Sequence, residues 1–135
     1  MSTRPLYPAL LLTLLICGCA NLITLPQNRT TTLAPAGGQT ADAGKVRQAL
    51  ITAAYQRGWT VVSDQPGQLE LSLTLRSHRL TVDVPYTSDA YTVHYVSSEN
   101  LGYREENGTA MIHKRYLAWL RNLEQSTRAA LLAQQ

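Results

Sequence analysis

From Leu69 to Leu75 the chain runs Leu-Glu-Leu-Ser-Leu-Thr-Leu, and no other stretch limits the fold so tightly. Leucine at every second position puts all four on one face of an extended strand, which demands an apolar layer on that side and tolerates water on the other. The same period returns twice. Leu80, Val82, Val84 and Tyr86 alternate with Thr81 and Asp83, then Tyr91, Val93 and Tyr95 alternate with Thr92 and His94. Short polar interruptions at Ser77-His78 and Thr87 to Ala90 separate the runs, so antiparallel hairpins follow. Pairing Arg76 with Arg79 sets Leu75 opposite Leu80, Leu73 opposite Val82 and Leu71 opposite Val84. A similar count sets Tyr86 opposite Tyr91, Val84 opposite Val93 and Val82 opposite Tyr95, with every apolar residue on one face. A further strand, Trp59 to Ser63, precedes the turn signal Asp64-Gln65-Pro66-Gly67, and in it Val61 and Val62 compete for the buried side.

Two helical patterns flank these strands. Between Asp42 and Arg57, the residues Val46, Ala49, Leu50 and Ala53 recur at helical spacing, with Asp42 or Thr40 as N-cap and Gly58 as the stop. From Ala110 to Leu132 a stripe of Ile112, Tyr116, Trp119, Leu120, Leu123, Thr127 and Leu131 repeats likewise, with Asn107, Gly108 and Thr109 as its start signals. The expected fold is α+β: a two-layer sandwich in the order helix, four-stranded antiparallel meander, helix, with both helices on the apolar face of the sheet. With 135 residues and no Phe, the chain holds one such domain, its core built on Leu, Val, Tyr and Trp. Ser98 to Thr109 is expected to be a long loop, pinned against the last helix by Leu101, Tyr103, Ile112, Tyr116 and Trp119.

Chemistry is sparse by comparison. The expected register lines up Ser72, Asp83 and His94 across three strands on the polar face. Nucleophile activation needs His between Ser and the carboxylate, whereas here Asp lies between them, so a cross-strand polar network is the reading. His78, His94 and His113 fall on separate elements without a second metal ligand at suitable spacing, and no phosphate loop, G-x-S-x-G or HExxH occurs. No enzyme activity, cofactor or metal is therefore expected. Lys and Arg total 12 against 9 Asp and Glu, and the resulting charge of +3 is scattered, which excludes a nucleic-acid footprint. The candidate interaction surface comprises Arg76, Arg79, Asp83, His94, Asn100, Tyr103 and His113.

The N-terminus reads as an address. A start with one cation, Arg4, leads into an apolar stretch from Leu6 to Ile16 and then small residues around Cys17-Gly18-Cys19-Ala20, the order of a secretory signal. Its apolar core falls short of the roughly 20 residues that span a bilayer. Ile16-Cys17-Gly18-Cys19 resembles the bacterial lipobox, with Gly18-Cys19 as the cleavage site and Cys19 as the lipidated residue. Cys17 fits worse, because Ile16 would then stand where a small residue belongs. That resemblance implies a signal peptide over 1–18 and a diacylglycerol with an amide-linked acyl chain on Cys19. Several chains hold firmly where one is marginal. Ala20 in place of Asp after the Cys implies the outer membrane, periplasmic face. Residues 19–41, rich in Thr, Pro and Gly, read as the lipidated Cys and a flexible tether, and residues 42–135 as the periplasmic domain. The 22 residues from Ala20 to Ala41, taken as a coil, reach roughly 26 Å.

A second resemblance rests on Ser98-x-Asn100-Leu101-x-Tyr103, followed by Ile112-His113-x-x-Tyr116-x-x-Trp119-x-x-x-Leu123, with Arg57-Gly58-Trp59 and Val84-Pro85-Tyr86. In these the chain is similar to a group of small uncharacterised lipoproteins of Gram-negative bacteria, which implies location and fold but no reaction. The expected function is a non-catalytic, membrane-anchored lipoprotein that binds another envelope protein, through the polar sheet face or an exposed strand edge. The alternative is a glycan or peptidoglycan fragment bound on that face. Intact mass of the chain from a membrane fraction should give an N-terminus at acylated Cys19. An unmodified Cys19, or a chain still starting at Met1, would overturn the assignment.

Overall fold

The computed structural model describes residues 21–33 and 42–135. The expected signal peptide, the cleavage site at Gly18, the lipidated Cys19 and residues 34–41 lie outside these. In chain order the elements are β1 (Leu22–Thr24), β2 (Asn28–Thr32), α1 (Ala43–Gln56), β3 (Trp59–Gln65), β4 (Gln68–Leu75), β5 (His78–Pro85), β6 (Ala90–Glu99), β7 (Arg104–Glu106), β8 (Thr109–His113) and α2 (Arg115–Leu132). The fold is α+β, with five strands in one antiparallel sheet, ordered β2-β6-β5-β4-β3, and three in a second, ordered β1-β8-β7.

Local signals account for α1. Asp42 caps it by accepting the Lys45 N–H at 2.8 Å, and Gly58, at φ +79°, turns the chain into β3. Val46, Ala49, Leu50 and Ala53 are all buried, as their spacing predicts. Leu69, Leu71, Leu73, Leu80, Val82, Val84, Tyr86, Tyr91 and Val93 join them in one core with Tyr116, Leu120 and Leu123 of α2. Ion pairs tie both helices to this side of the sheet. Arg47 of α1 bonds Asp64, which pairs with core-facing Leu69, and Glu124 of α2 holds Arg29, which pairs with Val93, at 3.0 Å. At roughly 1.5–3 kcal/mol per fully buried large apolar side chain, this face is the main stabilising element of the molecule.

The register agrees with the expectation at one hairpin and departs from it at the other. Val82 pairs with Tyr95 and Tyr86 with Tyr91, as counted. In β4–β5, however, Leu73 pairs with Leu80, Leu71 with Val82 and Leu69 with Val84. The turn is thus Arg76-Ser77, with Arg76 at φ 56°, and each leucine has moved two residues along its partner strand. Such a move keeps every side chain on its own face, so the apolar pattern alone does not distinguish the two registers. Tertiary bonds favour the observed one. Asn100 Nδ2 donates to Ser77 O at 2.7 Å, and His78 Nδ1 donates to Asn100 O at 2.7 Å. A bulge at Val62 resolves the competition in β3: Val61 packs on the core, while Val62 is 55% exposed. A second bulge, at Val96, shifts the β5–β6 pairing so that Thr81 meets Ser97.

Three expectations need larger correction. The stretch read as a tether supplies β1, paired with β8 from Leu22↔His113 to Thr24↔Met111, and β2, paired with β6 from Asn28↔His94 to Thr32↔Ala90. The four-stranded meander is therefore four strands of a five-stranded sheet, beside a second sheet. The expected loop at Ser98 to Thr109 is half strand, since β6 continues to Glu99 and β7 turns into β8 at Asn107-Gly108. Both turn residues have positive φ, 51° and 77°, as a type I′ hairpin turn demands. The last helix consequently begins at Arg115 rather than Ala110, and Ile112 is buried from a strand.

Two tyrosine hydroxyls inside this core, on Tyr91 and Tyr116, lack a hydrogen bond of good geometry among the described residues. Tyr91 sits beside the Thr31 and Thr127 hydroxyls, and burial pushes its pKa up. Burial, with a smaller effect from Tyr95, pushes Tyr116 up to about 12. An unsatisfied buried hydroxyl costs about 1–3 kcal/mol, so Tyr116→Phe should leave stability unchanged or raise it by about 1 kcal/mol in denaturant melts. A loss of that size would show that the hydroxyl has a partner.

Candidate functional site

Because both helices and the core lie on one side, the other side of the five-stranded sheet stands open among the described residues. Strand pairing arranges its side chains in rows. Thr60, Ser72, Thr81 and Ser97 form one row of hydroxyls across β3, β4, β5 and β6. A second row runs Ser63, Glu70, Asp83, His94 and Asn28, from one edge strand to the other. Thr30 and Thr92 share a hydrogen bond of 2.9 Å, and Arg79 pairs with Glu99 at 3.6 Å, both more than half exposed. A solvated pair of that kind adds little stability.

The two-residue register difference changes the chemistry of this face. Ser72 stands opposite Thr81 rather than Asp83, so the expected row of Ser72, Asp83 and His94 does not form. Glu70 takes the place of Ser72 and stands directly opposite Asp83. Like charges in that arrangement repel, and among the described residues neither carboxylate has an ion-pair partner. His94 lies on the far side of Asp83 with its Nδ1–H donated to Asn28 Oδ1, an oxygen that only accepts.

The other candidate residues gather elsewhere, at the end of the sandwich where α2 begins. There Asn100, at φ 56°, holds the Arg76-Ser77 turn, and His78 joins them. With Nδ1 donating to Asn100 O, His78 Nε2 accepts from Arg115 Nη1 at 3.2 Å, and the ring packs 6.3 Å from Trp119. Tyr103 stacks on Tyr95 at 5.1 Å and donates to Glu105 at 3.1 Å. His113 Nδ1 accepts the first helical N–H, that of Arg115, at 3.1 Å, in place of a side-chain cap from Lys114. The candidate surface is therefore two surfaces. Arg79, Asp83 and His94 belong to the open face, whereas Arg76, Asn100, Tyr103 and His113 belong to the α2 end. Glu70, Asn28, His78, Arg115 and Trp119 complete them and were not among the residues expected.

Among the described residues no group of three or more His, Cys, Asp or Glu gathers as a metal would require, and no helix is long and apolar enough to cross a membrane. A hollow lined by Glu124, Gln125, Arg128, Ala129 and Leu132 is shallow and formed by one helix. Compared with known proteins, the chain matches no family model and no curated sequence.

His113 makes this end sensitive to acid. Desolvation first, then the charges of Arg115 and Lys114 and the neighbouring His78, lower its pKa below the usual value near 6.5. Its Nδ1 must also stay unprotonated to accept from Arg115. The unfolded chain takes up this proton as pH falls through about 6.5 while the folded chain resists, so folding stability drops on acidification. Thermal melts from pH 7 to pH 5 should show a smaller drop for His113→Asn, which keeps an acceptor and removes the titration. Parallel curves for the two proteins would contradict this.

Proposed function

We propose that the protein is a non-catalytic lipoprotein of the bacterial envelope, held to the periplasmic face of the outer membrane through Cys19. Its domain binds a basic surface of another envelope protein on the open face of the sheet. The observation that carries this reading is the unpaired juxtaposition of Glu70 and Asp83 at the centre of a polar face that nothing described covers. Two opposed carboxylates cost stability in the free domain, roughly 0.2–1 kcal/mol, and a Lys or Arg placed between them removes that cost. Surrounding hydroxyls from Ser72, Thr81 and Thr60 supply donors and acceptors that suit a wet, polar interface. Folding the helices onto the other face leaves this one free for the partner. The blunted edge strand β3, bulged at Val62, makes strand addition there the weaker option.

A photocrosslinker at Thr81 in intact cells should trap a discrete protein adduct that the same group at Gln56, on α1, does not. Glu70→Gln combined with Asp83→Asn should reduce that adduct while leaving stability unchanged or slightly higher. Loss of folding in the double variant, or an adduct indifferent to it, would remove the basis for the proposal. Adducts to peptidoglycan instead of protein would favour the glycan reading.

A further inference from the structure

The end of the domain where β1 begins has a different character from the open face. We propose that it is a docking surface for an anionic phospholipid bilayer, which the domain touches directly instead of hanging clear of it. The inference rests on the lipid anchor at Cys19 proposed above, and adds where the domain lies once that anchor is in place. Its first support is chain length. Only Ala20 and Asn21 separate Cys19 from Leu22. The three steps from Cys19 to Leu22 span at most about 11 Å even when fully extended. Asn21 is itself tied to the fold, accepting the Lys114 N–H at 2.8 Å, and Leu22 packs close to Gly102. An acylated Cys19 thus brings the first turn of α2 and the Gly102–Tyr103 segment down to the headgroups.

The second support is charge. Around this exit point stand Arg76 from the β4–β5 turn, Arg79 beside it at the near end of the open face, and Lys114 and Arg115 from the start of α2, against two carboxylates, Glu99 and the Glu105 that Tyr103 bonds. Beyond Cys19 the rest of the chain holds seven cations and seven carboxylates, so the positive excess of the mature protein is concentrated here. Glu106 lies further along β7, paired with Arg104. Leu75 and Tyr103, 50% and 40% exposed, lie at the same end, which gives the mixture of apolar, aromatic and basic side chains that suits a membrane interface. Strand β4 runs from this end to Gln68, about 23 Å away at ~3.3 Å per residue, so the open face extends outward from the bilayer toward a partner.

The test uses the processed full chain in vesicles. Once Cys19 is acylated the mature protein has no free thiol, so Ser77→Cys and Gln68→Cys each accept a single spin label. In phosphatidylglycerol–phosphatidylethanolamine vesicles, the label at position 77 should be shielded from an aqueous nickel chelate and open to oxygen, with the label at 68 showing the reverse. In phosphatidylcholine vesicles the shielding at 77 should weaken. Lys114→Gln and Arg76→Gln change exposed side chains and should each lower the docked-to-undocked ratio about fivefold on the anionic vesicles. Equal chelate access at 77 and 68 in a chain whose mass shows acylated Cys19 would overturn the docking surface and leave the anchor standing. A mass showing free Cys19 would overturn both. Shielding at 77 that is the same on both lipids and unmoved by the two variants would also overturn it, since tethering alone would then suffice.

Discussion

Everything in this molecule depends on a sheet that has only one apolar face. Leu69, Leu71, Leu73, Leu80, Val82 and Val84 must be covered, and the polar residues between them must not be, so both helices are driven to the same side. That one-sidedness produces the core and, on the opposite side, the open polar surface. Each helix is also held by an ion pair to an inward-facing residue near the margin of the sheet, Arg47 to Asp64 and Glu124 to Arg29. The hydrogen bond from Arg47 keeps the Asp64 carboxyl below its ordinary pKa. These pairs are partly solvated and guide placement more than they stabilise it.

The small sheet of β1, β8 and β7 extends the core at one end and gives the first strand, β1, a place to pair. It covers a region where Leu101, Ile112 and Tyr116 would otherwise meet water. Its consequence for function is positional. Of the segment expected to reach roughly 26 Å from its lipid, Leu22–Thr24 and Asn28–Thr32 are instead strands, which would bring the proposed anchor close to the α2 end. The two candidate surfaces would then have separate tasks under the proposals above, the cationic end toward lipid and the acidic row on the sheet toward a protein.

Legibility in the sequence followed the range of the interactions. Helix α1 was readable because cap, stripe and stop lie within 17 residues, Asp42 to Gly58. The strands β4, β5 and β6 were readable because period 2 survives any even shift in pairing. For the same reason their exact pairing was not, and the identity of the residue facing Asp83 depended on bonds from Asn100, some 23 residues beyond the turn it holds. The hairpin at Asn107-Gly108 did carry a local signal. On sequence alone those two residues look like the start of a helix, because Ile112, Tyr116 and Leu120 share helical spacing across a strand–helix boundary. Strands β1 and β2 carried almost none. Leu22–Thr24 is too short to show a period, Asn28–Thr32 is polar throughout, and their partners lie at least 58 residues away.

By itself, then, the sequence determined the α+β class, the inward face of each central strand and the first helix, since all of these follow from side-chain periodicity and local capping. Tertiary structure decided which polar residues meet. A register set by distant hydrogen bonds placed Glu70 against Asp83, and pairing with strands far along the chain made Leu22–Thr24 and Asn28–Thr32, two segments of an apparent tether, part of the domain. The physical reason is common to both. Burial of apolar side chains is non-directional and reads out as a pattern, whereas hydrogen-bonded pairing is specific to partners that only the folded chain brings together.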